Sequence, residues 1–217
     1  MTELFTNFIE YLYLLPAILV SLSFHECAHA FVATKLGDPT PKEDGRLSLN
    51  PFRHIDLFGF VAMLIVHFGW AKPVRVNPIY FENPRKGMLY TAIAGPISNV
   101  VLGVLSSLLL FWASVLGAPF WIFRILLYLV LLNVGLAIFN LIPIHPFDGS
   151  RVLSYFSPRY AAFIASNAQI VQAIFLALLL LPRFLPFPDI IGNIIGAVQY
   201  GVLSGLLKLW SMLFWFV

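Results

Sequence analysis

His25-Glu26-Cys27-Ala28-His29 interrupts an apolar run, because residues 11–24 before it carry no formal charge. On a helix, residues four apart lie on one face about one turn apart, so His25 and His29 can bind the same metal ion. A carboxylate beside that pair, here Glu26, can take a proton from a water at the metal. Ionisable groups are costly in lipid, so this pattern predicts a metal-dependent enzyme site rather than a set of solvated side chains.

The composition is that of a protein embedded in a lipid bilayer. Of the 217 residues, 60% are hydrophobic and only 11% are charged, and the mean hydropathy is +0.88. Several uncharged runs approach the twenty residues that span a bilayer, and no polar stretch is long enough to build a soluble domain. We therefore expect a single membrane domain over residues 1–217. The net charge of +3 is small and scattered, so nucleic acid is not expected as a partner.

The apolar runs predict an all-α polytopic membrane protein with about five transmembrane helices. The predicted spans cover residues 8–36, 86–116, 120–142, 168–185 and 190–214. Residues 57–70 are apolar but too short to cross the bilayer, which predicts a short re-entrant segment. Residues 71–84 contain prolines and alternating apolar side chains, which predicts a small strand-like, membrane-associated element. The more polar piece that ends at Asn167 is expected to lie at the interface.

The basic residues predict which way the protein faces. If residues 57–70 return to the side they left, ten of the thirteen Lys and Arg residues fall on one side of the membrane. By the positive-inside rule that side is cytoplasmic, the N-terminus is outside, and the protein is a multi-pass protein of the cell membrane. Residues 1–10 contain no Lys or Arg, so they do not fit a signal peptide, and the first span is expected to stay attached.

A catalytic zinc site needs a third protein ligand and an open position. The candidates for this ligand are Asp148, His54, His67, His145 and the few remaining acids. Asp148 is the best placed, because it follows the third span on the side towards which His25 and His29 lie. An Asp-Gly pair is also a common turn, so spacing alone leaves the ligand and the turn equally open. Cys27 lies on the other side of the helix from His25 and is expected to pack.

Three motifs together resemble the site-2 protease family of intramembrane zinc metalloproteases. They are His25-Glu26-Cys27-Ala28-His29 in the first span, Ala94-Gly95-Pro96-Ile97-Ser98-Asn99 in the next full span, and Asn140-Leu141-Ile142-Pro143 running into Asp148-Gly149. Residues 45–56 and 69–74 are similar to the small prokaryotic branch of this family that lacks PDZ and CBS domains. The resemblance covers residues 21–152, and jointly the motifs are highly specific.

The resemblance implies roles for five residues. His25, His29 and Asp148 would bind one zinc ion per chain, and Glu26 would be the catalytic base. Asn140 would belong to the substrate or active-site neighbourhood, where its amide could donate to a developing oxyanion or to a substrate strand. A hydrogen bond at a helix interface is an equal alternative for Asn140.

Several neighbouring residues receive smaller roles. Asn99 is expected to pack or to brace, and Gly95 to shape its helix. His54 is expected to be a solvated loop residue outside the metal set. His145 stands where this branch more often has Pro, and it is close enough to Asp148 in sequence to touch the site or to compete for metal.

The implied activity is hydrolysis of peptide bonds in or near the transmembrane segment of single-span membrane proteins. The catalytic core would cover residues 8–152, with accessory helices over residues 153–217. A substrate helix has its carbonyl groups tied up in hydrogen bonds, so it must unwind before attack. The extended residues 72–79 could then receive it by strand addition.

Other classes of membrane protein could use the same residues. A metal-handling transporter would need polar residues along a whole pore, and the outer halves of these spans are almost bare of them. A catalytically silent regulatory membrane protein would have no use for the base Glu26. A membrane protease of the Glu-zincin type would need a later Glu on a helix, and the later ones, Glu43 and Glu82, lie in polar segments.

Overall fold

The computed structural model describes residues 2–66 and 69–215, and most of them are helical. The helices are α1 (Thr2–Lys35), α2 (Thr40–Glu43), α3 (Leu57–Val66), α4 (Pro84–Val115), α5 (Phe120–Asn140), α6 (Asp148–Phe156), α7 (Pro158–Phe184) and α8 (Ile190–Leu213). Within the described ranges, α1, α4, α5, α7 and α8 are long and apolar enough to cross a membrane. The prediction of an all-α polytopic membrane protein with five spans is therefore confirmed.

Side-chain caps set where three of the long helices begin. Asn83, Ser157 and Asp189 each accept a hydrogen bond from a backbone amide in the first turn of α4, α7 and α8, respectively. The first amides of a helix have no partner within it, and an amide left without one is costly away from water. Each of these caps therefore fixes a helix start that apolar patterning alone leaves open.

Helix α4 is the centre of the bundle, and α1, α5, α6 and α8 pack against it. Leu110, Val130 and Leu203 form part of a buried cluster that joins α4, α5 and α8. Lipid tails are as apolar as these side chains, so packing and hydrogen bonds between helices, about 0.6 kcal/mol for an average bond, hold such a bundle together. Two such bonds attach α8, from Trp210 Nε1 to Ser107 Oγ at 2.9 Å and from the Gln199 amide to a carbonyl of α5 at 2.7 Å.

The backbone that leads into α3 lies beside the backbone at residues 69–71. Helix α3 has ten residues, a length of about 15 Å, whereas the hydrocarbon core is about 30 Å thick. A Cβ placed on Gly59 would lie only 2.9 Å from the Trp70 amide nitrogen, and Ile55 forms an antiparallel bridge with Ala71. A re-entrant segment must begin and end close together in this way. His67, a candidate ligand, lies outside the described residues.

The prediction of a strand-like element over residues 71–84 is wrong. In the described part of the chain there is no strand, and this segment has only the single bridge at Ala71 and a 3-10 turn at Pro78–Tyr80. Prolines remove backbone donors, and two of the remaining backbone amides bond to the α1–α3 loop instead of a strand. The backbone amide of Asn77 donates to the buried Asp38 carboxylate at 2.7 Å, and the backbone amide of Lys72 donates to the His54 carbonyl at 2.8 Å.

The polar piece that ends at Asn167 is divided between α6 and the first ten residues of α7, a helix long and apolar enough to cross a membrane. Two polar side chains in it satisfy their donors within the helix. Ser166 Oγ donates to the Ala162 carbonyl at 3.3 Å, and Asn167 Nδ2 donates to the Phe163 carbonyl at 2.9 Å. Polar residues bonded to the preceding turn are compatible with a span, so polarity alone placed this boundary ten residues too late.

Charged side chains fasten the α1–α3 loop to residues 71–77. Arg46 is buried and donates to the carbonyl groups of Arg53 and Lys72. Arg75 donates to both carboxylate oxygens of Asp44, at 2.8 and 2.5 Å. Its guanidinium group holds the pKa of the Asp44 carboxyl below the ordinary value. These contacts connect the loop that follows the histidine helix to the segment that precedes α4.

Candidate metal centre

Three of the predicted site residues meet at one point between helices. His25 and His29 lie one turn apart on α1, and Asp148 is the first residue of α6. The two Nε2 atoms are 3.0 Å apart, and each lies 3.3 Å from Asp148 Oδ2. The side chains are 5%, 10% and 13% exposed, respectively. They form a group that could bind a metal ion.

The partners of the imidazole Nδ1 atoms determine what the Nε2 atoms present. His29 Nδ1 lies 2.7 Å from the Thr91 carbonyl oxygen, and His25 Nδ1 lies 2.6 Å from Asn99 Oδ1. Both partners only accept, so each Nδ1 must carry a hydrogen and donate it. In a neutral imidazole, Nε2 then carries a lone pair. Two lone pairs and a carboxylate therefore converge, an arrangement that a cation among them would stabilise.

The burial of the Asp148 carboxyl group also favours a cation at this point. Its Oδ2 atom is buried and has no hydrogen-bond partner. An unpartnered buried carboxylate oxygen is expensive unless a cation binds it. Two imidazole nitrogens and a carboxylate oxygen are a donor set that zinc accepts in catalytic sites.

Two glycines allow the backbone to approach the site. A Cβ on Gly95 would lie 2.5 Å from His25 Cε1 and 2.6 Å from His29 Cε1, so α4 can pack against both rings only without a side chain there. A Cβ on Gly149 would lie 2.6 Å from the Ile142 carbonyl oxygen. Gly149 therefore lets the α5–α6 loop fold against the start of α6, so the Asp-Gly pair opens a helix and is not merely a turn.

Hydrogen bonds also fasten the element that carries Asp148. Tyr160 of α7 donates its hydroxyl to the Pro143 carbonyl at 2.7 Å and lies 3.2 Å from Ser150 Oγ. Arg85 of α4 donates to the carbonyl of Tyr155 at the end of α6 at 2.9 Å. Together these contacts hold both ends of the short helix that presents the carboxylate.

Glu26 follows His25 on α1 and is half-buried. A mostly apolar cavity of about 460 Å³ lies beside this helix, and residues 55–63 and 69–71, α5, α7 and α8 form its other walls. Its lining does not include the metal-binding group, but it includes Leu15, Ile18 and Leu22 of α1. Leu22 lies one turn before Glu26, so Glu26 follows the cavity-lining residues on the same face of α1, although it does not itself line the cavity.

Other candidate residues lie elsewhere. Asn140 is half-buried, and its amide donates to the Leu136 carbonyl at 3.0 Å within its own helix. The expectation that His54 is solvated is wrong, because it is 1% exposed and its Nε2 lies 2.7 Å from the Ser48 carbonyl oxygen. His145 is exposed, and neither it nor Cys27 belongs to the metal-binding group.

Sequence reasoning missed the partners that orient the two histidines. Asn99 was expected to pack or brace, and its carbonyl oxygen indeed accepts from His25. The contributions of Ser21, Thr91 and Asn133 were not foreseen, although all three are buried near the centre of the bundle. A polar side chain inside an apolar run is a functional candidate by default, and that signal was present for Asn133.

Comparison with known proteins identifies the family of this chain. The sequence model of peptidase family M50 matches residues 117–182, a range that contains Asp148 but not the histidine pair. "Putative zinc metalloprotease YwhC" of Bacillus subtilis is 39% identical over 152 residues, which are 67% of this chain and 69% of the relative. This chain belongs to peptidase family M50. The resemblance to site-2 proteases is thereby confirmed, and the protein is a zinc metalloprotease by family.

More distant M50 relatives are longer than the matched region. "Putative zinc metalloprotease Rip2" of Mycobacterium tuberculosis is 30% identical over 76% of this chain and 65% of the relative. "Zinc metalloprotease MJ0392" of Methanocaldococcus jannaschii is 29% identical over 76% of this chain, but the match covers only 40% of that protein. No solved structure matches the chain significantly.

Proposed function

We propose that this M50 metalloprotease hydrolyses peptide bonds in or near the transmembrane segment of single-span membrane proteins. The observation that carries the proposal is the depth of the metal-binding group. His25, His29 and Asp148 are at most 13% exposed, and the two histidines lie on a helix long and apolar enough to cross a membrane. A site among such helices can receive a chain from the bilayer, whereas a folded soluble protein would find no groove.

We assign the metal ligands to His25, His29 and Asp148, with one zinc ion per chain. A bound zinc ion would supply Lewis-acid chemistry, lowering the pKa of a water and polarising the substrate carbonyl. Glu26 would accept one proton from the attacking water, whose oxygen bonds to the carbonyl carbon. The same carboxyl would give that proton to the leaving nitrogen as the C–N bond breaks. No proton is gained or lost by Glu26 over the cycle.

Asn140 is proposed to contact the substrate or the developing oxyanion. One hydrogen of its amide goes to the Leu136 carbonyl, which leaves the second amide hydrogen for a substrate oxygen. Replacing Asn140 with Leu should then lower the turnover number while leaving zinc content unchanged. Equal cleavage by this variant and the parent would remove Asn140 from the site.

The cavity beside α1 supports an apolar substrate segment. Its walls come from α1, residues 55–63 and 69–71, α5, α7 and α8, and they are mostly apolar. The carboxylates of Asp56 and Asp189 also line it, but each accepts a hydrogen bond from a backbone amide of its own helix start. Apolar side chains of a transmembrane segment would therefore suit this cavity better than polar ones.

The site is proposed to open to the cytoplasm, with the N-terminus outside and the protein in the cell membrane. The support is the positive-inside rule, since ten of the thirteen basic residues lie on the flanks assigned to the cytoplasm. Single cysteines at the exposed positions Lys42 and Pro186, in a Cys27→Ala background, can be labelled with an impermeant thiol reagent. Labelling of position 186 but not 42 in intact cells is expected, and the reverse would invert the topology.

The activity itself is tested with purified protein. It should cleave a membrane-anchored peptide faster than a folded soluble protein, and Glu26→Gln should abolish cleavage of both. Comparative membrane proteomics of cells with the native protein and with Glu26→Gln would identify substrates. Faster digestion of the soluble protein would contradict the proposed substrate class.

We also propose that residues 8–152 form the catalytic core and residues 153–217 the accessory helices of a single domain.

A further inference from the structure

A chain of hydrogen bonds leads away from the metal-binding group through three helices. His25 Nδ1 contacts Asn99 Oδ1 at 2.6 Å, Asn99 Nδ2 donates to Asn133 Oδ1 at 2.7 Å, and Asn133 Nδ2 donates to Ser21 Oγ at 2.8 Å. Ser21 lies one turn before His25 on α1, so the chain returns to its starting helix. The side chains of Ser21, Asn99 and Asn133 are fully buried. We refer to these four side chains as the amide relay.

The direction of the amide relay is set at its far end. Asn133 Nδ2 also lies 2.7 Å from the Leu129 carbonyl oxygen, one turn earlier on α5. A backbone carbonyl only accepts, so the Asn133 amide must present nitrogen to it and cannot be reversed without losing this bond. Both hydrogens of the Asn133 amide are then used, one by Leu129 and one by Ser21. Its oxygen must face Asn99.

This fixed end determines the state of His25. Because Asn133 presents oxygen, Asn99 must present its amide nitrogen, which also lies 3.4 Å from the Ser21 carbonyl oxygen. Asn99 then presents its own oxygen to His25, so the ring must carry hydrogen on Nδ1 and a lone pair on Nε2. The same Nε2 atom faces the site, 3.3 Å from Asp148 Oδ2.

We propose that Asn133 is a positioning residue that, through Asn99, holds His25 in the Nδ1-protonated tautomer in which Nε2 can bind metal. This inference rests on the proposed metal-binding role of His25. Asn133 acts only through another residue, since the hydrogen bonds of its side chain go to Asn99, to Ser21 and to the Leu129 carbonyl of its own helix. Outer partners of this kind typically change metal affinity by roughly 10- to 100-fold when removed.

Asn133→Leu tests the proposal, because Leu has a similar size but neither donates nor accepts. Without the Asn133 oxygen, the Asn99 amide keeps only the longer bond of 3.4 Å to the Ser21 carbonyl, so it can turn its nitrogen towards His25 more easily. We expect zinc affinity, measured by competition with a chelator, to fall roughly 10- to 100-fold. Ser21→Ala should stay close to the parent, since the Leu129 carbonyl still fixes the Asn133 amide.

Ser107→Ala is the matched control. Ser107 is another fully buried polar residue of α4, and it accepts from Trp210 Nε1 at 2.9 Å, outside the amide relay. If the bundle is merely sensitive to lost interhelical hydrogen bonds, Ser107→Ala and Asn133→Leu should lower zinc affinity alike. The proposal requires that only Asn133→Leu does so. Equal zinc affinity of Asn133→Leu and the parent would overturn it.

A second readout uses the native protein, so it does not depend on whether the variant folds. Ring nitrogen-15 signals of zinc-free protein, with His25 assigned by comparison with a His25→Gln sample, report whether Nδ1 carries a hydrogen. The proposal predicts that it does, and a His25 Nδ1 without hydrogen would overturn it. Neither readout uses cleavage, so a protein that binds zinc as described but hydrolyses nothing would refute the proposed function and leave the amide relay standing.

Discussion

Replacing Gly95 with Ala should damage the metal centre by moving the histidine rings. The added Cβ would lie 2.5 Å from His25 Cε1, whereas ordinary contact begins at 3.4 Å, so α4 or the ring must move by about 0.9 Å. The clash involves both rings, since His29 Cε1 would lie 2.6 Å from the same added Cβ. A misplacement near 1 Å costs on the order of 100-fold in rate, and overpacking costs about 1–3 kcal/mol of stability.

The assay compares zinc content, thermal stability and peptide cleavage of purified Gly95→Ala with those of Gly103→Ala. Gly103 lies on the same helix, and a Cβ there would meet Asn133 Cβ at 3.5 Å, an ordinary contact. Ala also has a better helix propensity than Gly, so this control should be at least as stable as the parent. If Gly95→Ala matches Gly103→Ala in zinc content and cleavage, the close approach of α4 to the rings does not exist.

Two further predictions concern contacts around the site. Tyr160→Phe removes the hydroxyl that donates to the Pro143 carbonyl, so it should lower the free energy of unfolding by about 1 kcal/mol and loosen Asp148. Zinc should then dissociate faster in stopped-flow chelation, and an unchanged dissociation rate would exclude this role. Arg75 lowers the pKa of Asp44, so the ion pair stabilises the fold above the ordinary carboxyl pKa and this effect disappears as pH falls through the lowered value. The melting temperatures of the parent and Arg75→Gln should therefore differ slightly at neutral pH and converge in acid; a gap that widens in acid would contradict the sign.

The sequence predicted the spans and the histidine pair because both depend on local patterns. Long apolar runs require helices in lipid, and the spacing of His25 and His29 places both rings on one face. Asp148, by contrast, could not be distinguished from a turn by spacing alone, and the family resemblance decided between them. The structure adds the reason that Asp148 can reach the histidines, namely the close fold of the α5–α6 loop around Gly149.

The errors arose where tertiary partners replace local ones. Alternation over residues 71–84 suggested a strand, but the Asn77 amide bonds to Asp38, thirty-nine residues earlier in the chain. His54 looked solvated in a polar loop, yet this loop folds over it and supplies the Ser48 carbonyl. The roles of Asn133 and Ser21 depend on three helices meeting at one depth, and no pattern along a single helix reveals that meeting.

The ratio of zinc to protein after dialysis against a mild chelator tests the central claim most directly. Glu26 is assigned to the proton and not to the metal, so Glu26→Gln should keep close to one zinc ion per chain while losing cleavage. Asp148→Ala should lose zinc as well as cleavage, because the ion would keep only the two imidazoles as protein ligands. If Asp148→Ala holds zinc as tightly as the parent, the third ligand is another residue and the proposed centre is wrong.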